Sequence, residues 1–120
     1  MRLVAALPKT PEGRAIAGQL VRAGTSVGSN YRAACRGRSK LEFVARLGIV
    51  EEEADESAYW MELIIEGGLL KPALVDPLWR EASELTRIMA RSRTTASVGL
   101  ESQIANRKWL GLEIHREHSR

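Results

Sequence analysis

The chain has 120 residues and a formal net charge of +3, with 44% hydrophobic and 28% charged residues. One domain of this length buries about 65% of the surface that its unfolded chain exposes, so a hydrophobic core can form without disulfides or metal. A single cysteine excludes an internal disulfide and suits a reducing cytoplasm, and no apolar run approaches the ~20 residues of a membrane span.

Abundant Ala, Leu, Glu and Arg, with few β-branched residues, favour an all-α domain. Residues 1–7 have the pattern of the end of a helix stopped by Pro8. Thr10-Pro11-Glu12 then supplies an N-cap, a proline at the first helical position and an acidic first turn. A long helix is therefore predicted from Pro11 to about Arg36.

Small and polar residues mark the packing face of this first long helix. Gly24 and Gly28 remove side chains from adjacent turns. They predict a close crossing with another helix, because Gly in a helix interior otherwise costs about 1 kcal/mol relative to Ala. Asn30 lies near the same face, where its amide can hydrogen-bond to a neighbouring helix and fix the register. We predict that all three are helix-packing positions.

A second long helix is predicted from Ser39 to the glycine pair Gly67-Gly68. Ser39-Lys40-Leu41-Glu42 is a capping box, in which Glu42 can reach back to the Ser39 amide. Apolar and small residues from Phe43 to Ile64 recur at alternating steps of four and three, which predicts a bundle seam. Since the connection between the two helices is short, they should be antiparallel neighbours.

A third long helix is predicted to begin with Asp76 as N-cap and Pro77 at the first helical position. Ser97-Val98-Gly99 is expected to break it. We therefore predict a helical bundle domain over residues 1–96 and a C-terminal tail over 97–120, which is either weakly ordered or a docking helix.

Charge is strongly segregated along the chain. Residues 1–50 hold nine Lys/Arg and two Glu, a net charge of +7; residues 51–76 carry −7, and residues 77–120 carry +3. Such blocks are typical of neighbouring helices or subunits that pair opposite charges, and the alternative is a free basic face for nucleic acid. Phosphate contacts need little more than positioned cations. The candidate nucleic-acid-binding residues are Arg22, Arg32, Arg36, Arg38 and Lys40.

No residue constellation indicates catalysis, a metal or a cofactor, so we expect a protein that is not an enzyme. The acidic run Glu51–Glu56 has no nearby histidine, which favours a solvated or ion-paired face over a di-iron site. His115 and His118 alone are too few ligands for zinc. Cys35 lies among arginines, but a small buried cysteine near a helix end is a commoner role than a reactive thiol. The predicted interface anchors are the aromatic residues Tyr59, Trp60 and Trp79.

Three motifs resemble the four-helix bundle protein family, which is also described as encoded by intervening sequences of 23S ribosomal RNA genes. They are Gln19-Leu20-Val21-Arg22-Ala23, Thr25-Ser26-Val27-Gly28-Ser29-Asn30 and Arg38-Ser39-x-x-Glu42-Phe43. The resemblance covers about residues 3–93. It implies an up-down four-helix bundle that often assembles as a ring, commonly a pentamer. Relatives include the accessory protein of diversity-generating retroelements, which binds nucleic acid and a reverse transcriptase.

The chain departs from the family pattern at its start, where about two helical turns precede Pro8 in place of a full first helix. We expect the groove left beside the long hairpin to be filled by residues 100–117 of the tail or by a neighbouring subunit, which would bury Trp109. The expected protein is thus an antiparallel up-down four-helix bundle with a truncated first helix, a ring-forming homo-oligomer that binds RNA or DNA or acts as a scaffold. The alternative is an assembly or protein-interaction module without nucleic-acid binding.

Overall fold

The computed structural model describes the backbone of residues 2–118 and the side chains of residues 2–109. This part of the chain is all-helical, which confirms the predicted fold class, and residues 2–118 contain no strand. The four elements are α1 (Arg2–Ala6), α2 (Pro11–Cys35), α3 (Lys40–Glu66) and α4 (Pro72–His118).

The helix ends follow the predicted capping chemistry closely. The Thr10 hydroxyl accepts a hydrogen bond from the Gly13 amide at 3.2 Å and begins α2, and the Ser39 hydroxyl accepts one from the Glu42 amide at 3.1 Å and begins α3. The Glu42 carboxylate reaches back to the amide of Arg38, at 3.3 Å, one residue before the amide that a capping box predicts. Two long helices are thereby held in a tight antiparallel hairpin.

The central helix of the bundle is α3, which packs against α2 on one side and α4 on the other. Its predicted seam is confirmed, since every member is buried except the half-buried Phe43. One apolar cluster, nearer α1, contains Leu3, Leu7, Leu20, Met61, Ile64 and Val75. The second cluster, nearer the α2–α3 turn, contains Ala34, Leu47, Val50 and Met89.

The predicted bounds of the last helix are wrong at both ends. It begins at Pro72, so the proline at the first helical position is Pro72 and not Pro77, which lies inside the helix. It then continues through Ser97-Val98-Gly99 to His118 without a break. A lone helical Gly costs only about 1 kcal/mol relative to Ala, and this segment has no proline, so the strong helix formers on either side prevail.

The C-terminal part of α4 projects beyond the other helices. Leu100 is the last half-buried residue, and residues 101–109 are all exposed. At 1.5 Å per residue, the helix from 101 to 118 extends about 27 Å further. The molecule measures 76 × 19 × 18 Å as a result. The tail does not fold back on its own bundle, and Trp109 is 58% exposed.

Candidate nucleic-acid interface

Exposed cations collect at the end of the bundle where α2 turns into α3. Residues 31–46 contain five Lys or Arg residues and a single acidic one, Glu42. Four of these cations are exposed, and none forms an ion pair with another described side chain. We call these four the basic turn: Arg32, Arg36, Arg38 and Lys40.

The backbone beneath the basic turn is ordered by local hydrogen bonds. The Arg36 amide bonds to the carbonyls of Arg32 and Ala33, and the Gly37 amide bonds to the Ala34 carbonyl at 3.1 Å. A shallow depression of about 350 Å³ lies over it, lined by Ala34, Cys35, Gly37, Arg38, Ser39, Lys40 and Phe43. Cys35 is exposed here, so its expected burial is wrong. The cations therefore project from a fixed turn into solvent.

Arg22 has different surroundings from the basic turn. Its guanidinium spans from α2 to α3, with Nη1 3.2 Å from Glu53 Oε2 and Nη2 bonded to the Glu56 carboxylate. The hydrogen bond from Arg22 lowers the pKa of Glu56, and the Trp60 indole N–H, 3.2 Å from the same carboxylate, lowers this pKa further. Arg22 thus belongs to an ion cluster between helices, which is the pairing of opposite charges that the charge blocks favoured.

The acidic run of α3 is also paired on its other side. Arg93 of α4 donates from Nε to Glu51 Oε2 at 2.7 Å, and this hydrogen bond raises the pKa of Arg93. Glu52 and Asp55 remain exposed on the outer face of α3. The expected ion-paired or solvated acidic face is therefore present, with α2 and α4 each supplying one arginine.

Asn30 makes the hydrogen bond between helices that its position suggested. Arg46 of α3 donates from Nη1 to Asn30 Oδ1 at 3.0 Å. The amide nitrogen of Asn30 is held in turn by the Ser26 carbonyl at 2.9 Å. This pair fixes the register of α2 against α3 close to the basic turn, and it occupies one cation, Arg46, which sequence reasoning had not assigned to a contact.

The close helix crossing expected at the two glycines of α2 is wrong for Gly28. That residue is exposed, and a Cβ added there would meet nothing within 4 Å. Gly24 borders an apolar groove between α2 and α4. The groove comprises two adjoining cavities of about 400 and 320 Å³, both lined by Gly24, Ser57 and Leu78. Leu3 of α1 lines one end of it.

Sequence and structure comparisons place this arrangement among known proteins. The family model described as 23S rRNA-intervening sequence protein matches residues 1–91. The chain belongs to this family. The resemblance drawn from the three motifs is thereby confirmed, and residues 92–120, with the projecting part of α4, lie beyond the family match.

One solved structure similar to this 23S rRNA-intervening sequence protein is the 1.70 Å crystal structure of a protein with unknown function from the S23 ribosomal protein family of Bacteroides thetaiotaomicron. The two are 28% identical, with a TM-score of 0.63 over 65% of this chain and 72% of that chain. No curated protein matches the chain. The comparisons therefore give the family and the fold.

The three aromatic residues of this 23S rRNA-intervening sequence protein differ in their exposure. Tyr59 is half exposed and stacks edge-to-face on Trp60, with 5.1 Å between ring centroids. Trp60 and Trp79 pack against the apolar cluster near α1. The Trp79 indole donates to Glu62 at 3.0 Å. Tyr59 is the one of the three that offers most of its surface to a partner.

The described part of the chain has neither a cluster of metal ligands nor a membrane-spanning helix. Among residues 2–109, no three His, Cys, Asp or Glu side chains lie where they could hold a metal ion. His115 and His118 lie outside the described side chains. None of the helices, as far as they are described, combines the length and apolar character needed to cross a membrane.

Proposed function

We propose that the protein binds the phosphate backbone of RNA or DNA through the basic turn and acts without catalysis. The observation that supports this proposal is the difference in ion pairing between Arg22 and the basic turn. Arg22 is neutralised by Glu53 and Glu56, whereas the four turn cations are exposed and unpaired among the described residues. A polyanion is the partner whose chemistry matches such a group of free cations.

Binding of this kind would depend little on base sequence and strongly on salt. Four neutralised phosphates give a slope of log affinity against log salt of about −3.6 for duplex DNA and about −2.8 for single strands. Raising the salt concentration from ~50 to ~200 mM should therefore weaken binding about 150-fold for duplex DNA and about 50-fold for a single strand. Those ratios estimate how many turn cations are engaged.

A second candidate function is an assembly module without nucleic-acid binding. The open apolar groove between α2 and α4 favours it, because contiguous apolar surface in water usually marks an interaction site. In that case the turn cations would meet acidic groups of another subunit. Both candidate functions use the same fold and differ in what the turn cations contact. An experiment that distinguishes them must therefore change these cations and leave the fold intact.

The test is a titration of labelled RNA and DNA of the same sequence with the parent and two charge-reversal variants. Arg36→Glu/Arg38→Glu reverses two cations of the basic turn. Arg87→Glu/Arg91→Glu is the matched control, since both residues are exposed on α4 beside the middle of α3 and have no ion pair with a described side chain. Both variants change the net charge equally, so a non-specific charge effect would weaken both alike.

We expect the turn variant to lose at least about tenfold in affinity at ~50 mM salt, with a shallower salt slope, while the control stays within about threefold. Melting curves establish that both variants are folded. Absence of binding by the parent at low salt contradicts the proposal, and so does equal weakening of the two variants. Dissociation of an oligomer on turn reversal, without parent binding to nucleic acid, would favour the assembly module.

A further inference from the structure

The projecting part of α4, residues 101–118, leaves the bundle at the same end as the basic turn. Arg93 of α4 is bonded to Glu51 of α3 at 2.7 Å, and this contact sets the level of the two antiparallel helices. Lys40 lies eleven residues before Glu51, so it is level with about residue 104 of α4. The rest of the projecting part therefore stands beyond the basic turn.

Two further cations stand on the projecting part of α4. Arg107 lies about four helical turns after Arg93, so it shares the face through which Arg93 contacts α3, and it stands over the turn. Lys108 is exposed beside it, and neither cation has an ion pair with a described side chain. Glu101, the acidic residue nearest to them in sequence on the N-terminal side, lies about 9 Å before Arg107 along the helix. The exposed cations at this end thus increase from four to six.

Two exposed aromatic rings accompany these cations. Trp109 directly follows Lys108 and is 58% exposed. Tyr31 of α2 is 49% exposed and lies one helical turn before Cys35, which lines the depression over the basic turn. Neither ring stacks on another described aromatic residue, whereas Tyr59 stacks on Trp60. Both rings therefore offer a face to a partner.

The combination of free cations and exposed aromatic rings selects among polyanions. Proteins that bind single-stranded nucleic acid place phosphates on cations and stack bases on aromatic side chains. The bases of a duplex are already stacked on one another, so they do not offer their faces in this way. A duplex would use the six cations alone, and a single strand would use the cations and both rings.

The separation of the two rings fits a short strand. Asn30 is bonded to Arg46, so Tyr31 is level with about residue 45 of α3, and hence with about residue 99 of α4. Trp109 lies about ten residues, or roughly 15 Å, further along. Since the bundle is 19 Å across, the path between the rings is about 15 to 25 Å, which about four to seven nucleotides cover at ~3.4 Å each.

We propose that the basic turn, Tyr31 and the segment Arg107–Trp109 form one site for single-stranded nucleic acid, in which bases stack on Tyr31 and Trp109. This proposal rests on the proposed function, because the turn cations hold the phosphates. Successive helical residues are turned by about 100°, so a strand that crosses the projecting helix meets Arg107, Lys108 and Trp109 one after another. The projecting part lies beyond the family match over residues 1–91, so this half of the site is a feature of the present chain.

The test compares a labelled 10-nucleotide single strand with the duplex of the same sequence, in titrations at ~50 mM salt. Tyr31→Ala and Trp109→Ala should each weaken single-strand binding at least about fivefold and change duplex binding less than about twofold. Tyr59→Ala is the matched control, because Tyr59 is 50% exposed but lies on α3 about 28 Å along the helix from Lys40. It should leave both affinities within about twofold of the parent.

Two further measurements separate stacking from a loss of structure. Tyr31→Phe and Trp109→Phe keep an aromatic ring, so they should restore single-strand affinity to within about threefold of the parent. The single strand should also quench the tryptophan fluorescence of the parent, and this quenching should be lost in Trp109→Phe, because Trp60 and Trp79 pack against the apolar cluster.

The cations of the projecting part have their own readout. Arg107→Ala/Lys108→Ala should make the salt slope for the single strand shallower by about 1.4, at about 0.7 for each phosphate contact. Arg87→Ala/Arg91→Ala, which removes two exposed cations from the middle of α4, should leave the slope unchanged.

Failure of this site differs from failure of the proposed function. Equal weakening of single strand and duplex by Tyr31→Ala and Trp109→Ala, or no weakening of either, overturns the stacking site. If Arg36→Glu/Arg38→Glu still abolishes binding in that case, phosphate binding by the basic turn stands without it. A parent that binds neither single strand nor duplex at low salt overturns both.

Discussion

Two isoleucines on α3 provide a matched test of its central position. Ile64 is fully buried, whereas Ile49 is 36% exposed on the outer face of the same helix. Replacing Ile64 with Ala removes three buried carbons, about 2.4 kcal/mol of transfer free energy at 0.8 per methylene, and adds the cost of a cavity, for a total of about 3–4 kcal/mol. Ile49→Ala leaves no enclosed cavity and should cost about 1 kcal/mol.

Helix propensity cancels in this comparison, because the same substitution is made in the same helix. Urea unfolding followed by circular dichroism measures both free energies, and the m-value should stay constant. We expect Ile64→Ala to be less stable than Ile49→Ala by at least about 2 kcal/mol. Equal costs for the two variants would refute the assignment of Ile64 to the core and of α3 to the centre of the bundle.

Three further changes follow from single residues. Gly28→Ala should raise the free energy of unfolding by about 0.5–1 kcal/mol, because Gly28 lies in a helix with open space around it. Gly68→Ala should lower the free energy of unfolding by about 1 kcal/mol, because Gly68 has a φ of 65°, a left-handed conformation that is unfavourable for a residue with a Cβ. Urea unfolding measures the increase for Gly28→Ala and the decrease for Gly68→Ala. Glu56→Gln should be less stable than the parent at neutral pH, and the difference should vanish in acid. Arg22 lowers the folded-state pKa of Glu56, so this stabilisation is present above the unfolded pKa and is lost as pH falls through the folded pKa. Unfolding midpoints measured from neutral pH down to pH ~2 check this, and a difference that does not narrow as the pH falls contradicts it.

The core of the fold was predictable from periodicity alone. Steps of four and three from Phe43 to Ile64 identify the buried face of α3, and Thr10 and Ser39 identify two helix starts by local hydrogen bonds. Such signals are carried by residues a few positions apart. The helices and caps that they predict therefore form without depending on tertiary contacts between distant residues.

The end of α4 and the role of Gly28 were not predictable in this way. Ser97-Val98-Gly99 is a weak break, and whether it interrupts a helix depends on the balance of about 1 kcal/mol against the helical residues around it. Gly28 has the spacing of a packing stripe, but the element that would cross it is absent from the described chain. The groove beside the long hairpin, by contrast, was expected from the short helical segment before Pro8.

The candidate site was predicted in part, because sequence shows which charges exist and not which of them meet. Arg22 and Arg36 are equally basic in sequence. Folding brings Glu53 and Glu56 to Arg22, since antiparallel packing sets the middle of α2 against the middle of α3. Among the described side chains it pairs no acidic residue with Arg36. Glu42, the one acidic residue of the 31–46 segment, has its carboxylate bonded to the Arg38 amide.

The separation of charge along α3 explains why the acidic run does not form an ion pair with Lys40 at the basic turn. The acidic run begins at Glu51, eleven residues or about 16 Å along the helix from Lys40. That distance exceeds the reach of a salt bridge from Lys40 and is about twice the Debye length of ~8 Å at physiological salt. None of the four turn cations is ion-paired with a described side chain. An anionic partner for these four cations would therefore come from a second molecule. The proposed polyanion would supply such a partner through its repeating phosphates, and the expected salt dependence would follow from the counterions released as those phosphates are neutralised.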